Sequence, residues 1–173
     1  MATVAFLRAV NVGGRTVRTR ELADELGLVN VAAAGTFVAL DAKAPAPLAA
    51  AIRKRLPFET EVIVRAGAEI LSLLDGSPFV GRPGADAQRF ASFLAGAPAS
   101  LPLPVDRPAG KDWEVRVVAV IGRCVLTLRR PGGPRALYPN AVVEKVFGVA
   151  ATTRGWATLE AVGKILREGR IRG

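Results

Sequence analysis

The stretch that decides the fold is Thr3–Arg15, which reads TVAFLRAVNVGGR. Residues 3–10 are mostly small or β-branched, and alternation leaves both faces largely apolar, a pattern that predicts a central strand of a sheet. Arg8 is the charged exception on one apolar face, and a buried arginine needs a partner. The glycine pair Gly13-Gly14 follows, ahead of a helix predicted from residue 19. The opening is therefore predicted to be a strand, a turn and a helix.

The turn between that strand and that helix has two interpretations. Gly13 and Gly14 can adopt positive φ, so that successive N–H groups converge on an anion, with Arg8, Asn11 and Arg15 beside them. The spacing lacks the third glycine of a dinucleotide-binding loop and the Gly-Lys-Ser/Thr of a Walker A loop, which excludes both motifs. A ligand site and a simple tight turn both remain open.

Hydrophobic periodicity predicts α+β alternation along the chain. The first half reads β-α-β-β-α-β-α, which is typical of an α+β sandwich of ferredoxin-like type. A Gly- and Pro-rich stretch at 76–87 is the linker candidate, and an extended, Pro-rich connector spans 96–110. The other predicted elements are helices at 19–27, 46–56, 67–75, 140–147 and 158–168, and strands at 29–41 (two), 59–65, 88–95, 112–121 and 124–129.

Composition excludes several classes of function. The chain has no histidine and one cysteine, Cys124, which excludes Ser–His and Cys–His catalysis, histidine metal ligation, multi-cysteine zinc sites and an internal disulfide. No paired-carboxylate site is identifiable, so we predict no catalytic residue, metal or cofactor. No apolar run reaches the roughly 18 residues of a membrane span, and no signal-peptide pattern is present, which predicts a cytoplasmic protein without a membrane partner.

The charge balance points to anionic partners. The sequence holds 24 Lys and Arg against 15 Asp and Glu, a net charge of +9. Such a surface concentrates nucleic acid or phosphorylated metabolites, although an arginine-rich proteome gives the same balance. Arg129, Arg130 and Arg135 lie on a Gly/Pro loop that we interpret as flexible and suited to phosphate contact. The same arginines suit solubility equally well, and the few aromatic residues are not interleaved with them, which disfavours a stacking platform for a single strand. The basic run Arg53–Arg55 complements a helix dipole, which is a sufficient reason for it.

A second candidate segment lies near the C-terminus. Residues 148–156 read as a loop before a helix, and Arg154 beside Trp156 can bind an anion and stack a planar ring. The alternative is that Trp156 packs on the core and Arg154 pairs with a surface acid.

Two separated motifs together resemble the domain of unknown function 1697 family. Leu7–Gly14 (LRAVNVGG) is similar to the family's opening LRGINVGG signature, and residues 146–159 (VFGVAATTRGWATL) are similar to its closing lGvpaTtRNWNTv pattern. The resemblance implies an α+β chain of two related ferredoxin-like α/β-sandwich subdomains, a duplication with mixed or antiparallel sheets and helices on one face. We place the subdomains at 1–80 and 81–173, tightly associated. The resemblance also implies a bacterial protein, and it adds no activity.

The chain departs from the family pattern where polar side chains are expected. Ala33–Thr36 stands where the family usually has Gln-Ser-Gly-Asn, and Gly155-Trp156-Ala157 stands where it has Asn-Trp-Asn. Of the family's Lys-x-Thr-Asn pattern only Asn140 is kept. If the family site is a hydrogen-bonding pocket, this chain has a reduced or altered one.

These observations favour a binding module for an anionic ligand, either a phosphorylated metabolite or RNA. The alternatives are an enzyme acting on a phosphorylated or nucleotide substrate, which the missing acid–base groups disfavour, and a structural or interaction protein with no small-molecule site. The sequence leaves the oligomeric state open. The predicted ligand-binding residues are Arg8, Asn11, Gly13, Gly14, Arg15, Asn140, Arg154 and Trp156.

Overall fold

A computed structural model describes residues 1–9, 13–14, 16–32, 35–41, 43–82, 84 and 86–172, with side chains up to residue 169. In chain order the elements are β1 (Thr3–Leu7), α1 (Thr19–Leu26), β2 (Val29–Val31), β3 (Thr36–Ala39), α2 (Pro45–Arg53), β4 (Val62–Ala66), α3 (Gly67–Asp75), β5 (Gln88–Leu94), β6 (Val105–Arg107), β7 (Val115–Ile121), β8 (Cys124–Arg129), α4 (Pro139–Phe147), β9 (Ala151–Gly155) and α5 (Trp156–Arg172). The class is α+β, as predicted.

The chain forms two compact units. The first unit consists of Met1–Gly76 together with Ala157–Gly173, and the second is Ser77–Trp156. These bounds differ from the predicted 1–80 and 81–173 because α5 packs within the first unit. A Cβ added at Gly67 of α3 would lie 2.9 Å from Cδ2 of Leu166 on α5, so the missing side chain lets the two helices approach closely.

The first unit is built on a four-stranded antiparallel sheet in the order β2-β3-β1-β4. All five residues of β1 are buried, which confirms the predicted central strand. Ala5 and Leu7 belong to a core that α1 and α2 close. The residues that these helices contribute to it are Leu22, Ala23, Leu48, Ala49 and Ile52.

The second unit is built on a five-stranded antiparallel sheet in the order β6-β7-β8-β5-β9. One sheet face packs on α4, where Leu94, Val117 and Val125 meet Val143 and Phe147. The left-handed Gly148, at φ +65°, ends α4, as predicted for a C-terminal glycine. The lone cysteine, Cys124, is buried, in keeping with a core role.

Three features of the second unit differ from the sequence prediction. The extended connector at 96–110 contains a short strand, β6, which pairs with β7. The strand predicted at 112–121 begins only at Val115, and its pairing with β8 shifts in register between Val117 and Ala119. Most of the segment read as a loop at 148–156 is β9, paired with β5 along its length. Pairing with a strand some 60 residues away supplies order that the local pattern does not show.

No helix within the described residues is long and apolar enough to span a membrane. In the same part of the chain, no group of three or more Cys, Asp or Glu side chains is placed to hold a metal ion.

Candidate functional site

The end of β1 is fixed from both sides, which sets the position of Arg8. The N–H of Leu7 donates to the carbonyl of Gly35 at 2.8 Å, and the N–H of Arg8 donates to the carbonyl of Glu61 at 3.0 Å. The hydroxyl of Thr60 donates to the Arg8 carbonyl at 2.5 Å. Arg8 itself is half-buried. The backbone that carries its side chain is therefore held by three hydrogen bonds to neighbouring segments.

The glycine turn needs glycine for conformation rather than for space. Gly13 and Gly14 have φ of +59° and +82°, and a Cβ added at either would meet nothing within 4 Å. Both are exposed, so their backbone is open to solvent. Asn11 and Arg15, which we predicted beside them, lie outside the described residues.

An open cleft of about 770 Å³ lies next to this strand end. Its lining includes Thr60, whose hydroxyl holds the Arg8 carbonyl. The other lining residues are Arg53, Lys54, Leu56, Pro57, Phe58 and Glu59. From the sequence alone, Arg53 and Lys54 are accounted for by the helix dipole of α2. The adjoining loop folds back to β1 and places Arg53 and Lys54 on a cleft. No local sequence pattern predicts that position.

The cations of this cleft are available to a ligand. Neither Arg53 nor Lys54 forms an ion pair with any residue that the structure describes, and both are exposed. The adjacent Arg55, in contrast, contacts the carboxylate of Glu25 at 3.2 Å. Glu59 contributes the one carboxylate of the lining. Two cations against one anion leave the cleft with a net positive charge.

Arg154 lies in the second unit, within β9, and is only 6% exposed. Its Nη1 donates to Oγ1 of Thr152 at 2.8 Å and to the carbonyl of Thr153 at 2.9 Å. Burial lowers the pKa of the Arg154 guanidinium to about 10, which leaves it charged at neutral pH. The residue is therefore a buried, hydrogen-bonded cation rather than the loop residue that the sequence suggested.

The predicted residues Trp156, which follows β9, and Asn140, which contacts β9 from α4, both pack or hydrogen-bond within the second unit. The Trp156 ring is buried and meets Phe79 edge to face, with ring centroids 4.9 Å apart, a favourable aromatic geometry. Asn140, in the first turn of α4, accepts a hydrogen bond from the Thr153 hydroxyl at 2.8 Å. Since that hydroxyl has one proton, Ser92 donates to Thr153 across 2.6 Å. The predicted Asn140 and Arg154 thus both contact Thr153.

Glu114 organises the loop between β8 and α4, a role that no pattern in the sequence predicts. Its buried carboxylate accepts the backbone N–H of Arg135 at 2.9 Å and that of Leu137 at 2.8 Å. The N–H of Arg130 donates to the Glu114 carbonyl at 2.8 Å. A carboxylate about 20 residues upstream therefore fastens the loop that the sequence interpretation treats as flexible.

We expect acid to weaken this attachment. The Leu137 N–H, more than any other group, holds the pKa of Glu114 below its ordinary value of 4.5. A lowered folded-state pKa means that the ionised carboxylate stabilises the fold above about pH 4.5 and that this contribution is lost as the pH falls through the folded pKa. In urea titrations from pH 7 to pH 3, the difference in stability between the parent chain and Glu114→Gln should shrink with acid. A difference that stays constant with pH would contradict this.

Comparison with known proteins places the chain in a family. The family model described as "Protein of unknown function (DUF1697)" matches residues 1–125. The chain belongs to the DUF1697 family. The DUF1697 match includes the opening LRAVNVGG motif, whereas the closing motif at 146–159 lies beyond the matched residues.

A solved structure shows the same fold as this DUF1697 protein. It is the conserved bacterial protein SP0830 from Streptococcus pneumoniae, with a TM-score of 0.59 and 18% sequence identity. The alignment covers 96% of this chain and 98% of that one. A search of curated proteins finds no match. The comparisons therefore establish family and fold, and the residues must carry any argument about function.

One departure from the family motif leaves room for a side chain in the DUF1697 fold. At Gly155, where the family pattern has Asn, an added Cβ would meet nothing within 4 Å. Ala157, at the second Asn position, is exposed on the first turn of α5. The Ala33-Ala34 departure lies outside the described residues. The polar groups lost at 155 and 157 are therefore not replaced there by bulkier packing.

Proposed function

We propose that this DUF1697 protein is a binding module for an anionic ligand, with its site at the end of β1. The observation that carries the proposal is a pair of cations, Arg53 and Lys54, that form no ion pair with a described residue and line a cleft whose Thr60 holds the backbone of Arg8. The exposed Gly13-Gly14 turn, with two consecutive left-handed residues, supplies N–H groups of the kind that line anion-binding nests. The predicted Asn11 and Arg15 complete this set as part of the proposal. A cytoplasmic location stays a prediction.

The size of the cleft favours a phosphorylated metabolite over RNA at this site. Its volume of about 770 Å³ falls within the roughly 300–1,000 Å³ of small-molecule pockets. Leu56 and Phe58 supply apolar lining beside the cations, which suits a ligand with a phosphate at one end and a less polar body at the other.

The test is stabilisation by defined anions. Orthophosphate, pyrophosphate, a nucleoside monophosphate and a nucleoside triphosphate serve as probes in thermal unfolding. A probe present at 100 times its Kd should raise the Tm by about 5 °C. We expect Arg53→Gln/Lys54→Gln to abolish the rise, because it removes both cations from the cleft. Arg55→Gln is the matched control, since it removes a neighbouring charge that already contacts Glu25.

Two results would refute the site. One is that no probe raises the Tm of the parent chain, and the other is that the double variant responds as fully as the control. Following each stabilising probe by NMR for a day also tests the enzyme alternative, because only an enzyme would consume it.

A structural role has a specific observation in its favour at Arg154 and Trp156. Both are buried, at 6% and 7% exposure, and both are engaged by neighbours within the second unit. We therefore propose that these two residues support the fold, and that the ligand site of the chain is carried by the set around Arg8.

The strand orders also support the duplication as a proposal. In the first unit the order β2-β3-β1-β4 in a βαββαβ chain is the antiparallel ferredoxin-like arrangement. In the second unit the order β7-β8-β5-β9 matches that order. Along the chain, α4 lies between β8 and β9, as α2 lies between β3 and β4. The extra edge strand β6 follows β5 along the chain, at the position that α1 occupies after β1 in the first unit.

A further inference from the structure

The loop from Arg129 to Tyr138, here called the arginine loop, carries three arginines, Arg129, Arg130 and Arg135, of which Arg130 and Arg135 are exposed. Arg129, Arg130 and Arg135 form no ion pair with a described residue of the chain. Arg129 donates instead to the carbonyl of Leu137 at 2.9 Å and to Oε1 of Gln88 at 3.1 Å. Arg130 donates to the carbonyl of Lys111 at 3.1 Å. Neutral acceptors orient the guanidinium groups and leave their charge available to an external anion.

Glu114 holds the loop in one shape and offsets part of the charge of Arg129 and Arg135, which leaves three cations against one carboxylate. Both of its carboxylate oxygens accept backbone N–H groups of the loop. A Cβ at Gly133 would overlap the Glu114 side chain, so the loop passes over the carboxylate at a distance that only glycine permits. A loop that is ordered before binding loses less conformational entropy when it meets a ligand.

Aromatic rings lie among these arginines in space, although the sequence separates them. The guanidinium of Arg129 lies 4.1 Å from the ring centroid of Tyr138, and Tyr138 is 62% exposed. The guanidinium of Arg130 lies 3.8 Å from the ring centroid of Trp113, which is buried. Cation–π contacts at these distances fix the planes of the guanidinium groups. The loop therefore presents one exposed ring beside pre-oriented cations.

We propose that the arginine loop is a contact surface for a single-stranded polynucleotide, whose phosphodiesters contact Arg130 and Arg135 and one of whose bases stacks on Tyr138. Positive charge along a backbone path together with an exposed ring is the combination that sequence-tolerant single-strand binding uses. The bases of a duplex are stacked on one another and are not free to stack on the Tyr138 ring. An acidic peptide would contact the arginines but has no base to stack on that ring. The surface belongs to the second unit and does not depend on the cleft beside Arg8.

The experiment is fluorescence anisotropy on the full chain with a labelled 12-nucleotide oligouridylate, its DNA counterpart and a 12-base-pair duplex. We expect the single strands to bind more tightly than the duplex, with log Kd rising linearly with log salt concentration. Arg130→Gln/Arg135→Gln should weaken binding at least tenfold and lower the salt slope by about 1.4, since each phosphate contact contributes about 0.7. Tyr138→Ala should weaken it about tenfold, while Tyr138→Phe should retain binding.

The control variant is Arg20→Gln/Arg123→Gln. It lowers the net charge by the same amount at two exposed arginines, one on α1 and one at the opposite end of β8. Tight binding by this control and by Arg53→Gln/Lys54→Gln supports the proposal and separates this surface from the cleft. Circular dichroism confirms that each variant is folded.

Any of the following would overturn the proposal: no binding of either single strand, an equal loss in the control variant, or a duplex that binds as tightly as the single strands. Tyr138→Ala that binds like the parent chain would also overturn it, because the surface would then be ionic only. Binding of RNA or of DNA supports it, and the ratio of the two affinities identifies the polymer.

Discussion

Arg154→Ala is expected to lower the free energy of unfolding by about 3 kcal/mol. The variant leaves the Thr152 hydroxyl and the Thr153 carbonyl without the donor that contacts them at 2.8 and 2.9 Å. A lost hydrogen bond to a charged group costs about 1.5–3 kcal/mol, and truncating a long buried side chain adds the cost of a cavity. Urea unfolding at pH 7, followed by circular dichroism, measures the difference.

The control for Arg154 is a neighbouring exposed arginine. Arg89, near the start of β5, is exposed, so Arg89→Ala should change stability by no more than about 0.5 kcal/mol. If Arg154→Ala has the same free energy of unfolding as the parent chain but is no longer stabilised by phosphate probes, the structural role is refuted and Arg154 is a ligand-binding residue. If stability falls and binding by the folded fraction persists, the role is structural.

The fold was predictable where local signals decide it. The helix at 67–75 and the strand starting at Gln88 appear as predicted, because side-chain periodicity and flanking glycines act within a few residues. The left-handed Gly27 and Gly148 end their helices for the same reason, since each is the residue for which positive φ costs least.

The site was less predictable because its order comes from distant segments. β9 has little hydrophobic alternation, and its place is set by pairing between Ala91 and Arg154. The arginine loop reads as flexible from its Gly and Pro content, and only the fold brings Glu114 beneath it. The cleft beside Arg8 likewise forms where Thr60 folds back onto β1. Each is a non-local contact, which a residue pattern along one segment cannot encode.

Gly133→Ala is expected to destabilise the chain by about 2 kcal/mol and to abolish oligonucleotide binding by the arginine loop. The new methyl group would overlap the Glu114 side chain, whose carboxylate is held in place by two N–H groups. Neither the Glu114 side chain nor the loop backbone can move away without losing those hydrogen bonds, and overpacking at such a site costs about 1–3 kcal/mol. Urea unfolding measures the first effect, and anisotropy with the labelled 12-nucleotide oligouridylate measures the second.

Gly155→Ala is the matched control, because a Cβ there meets nothing within 4 Å; its stability should stay within about 0.5 kcal/mol of the parent chain. A Gly133→Ala chain as stable as this control would show that Glu114 does not fasten the loop. A destabilised chain that still binds the oligonucleotide at full strength would show that binding does not require the ordered loop. Only a loss of both stability and oligonucleotide binding is consistent with a surface whose guanidinium groups bind because Glu114 holds the backbone beneath them. Pre-orientation of the cations is what distinguishes this loop from a solvated basic segment.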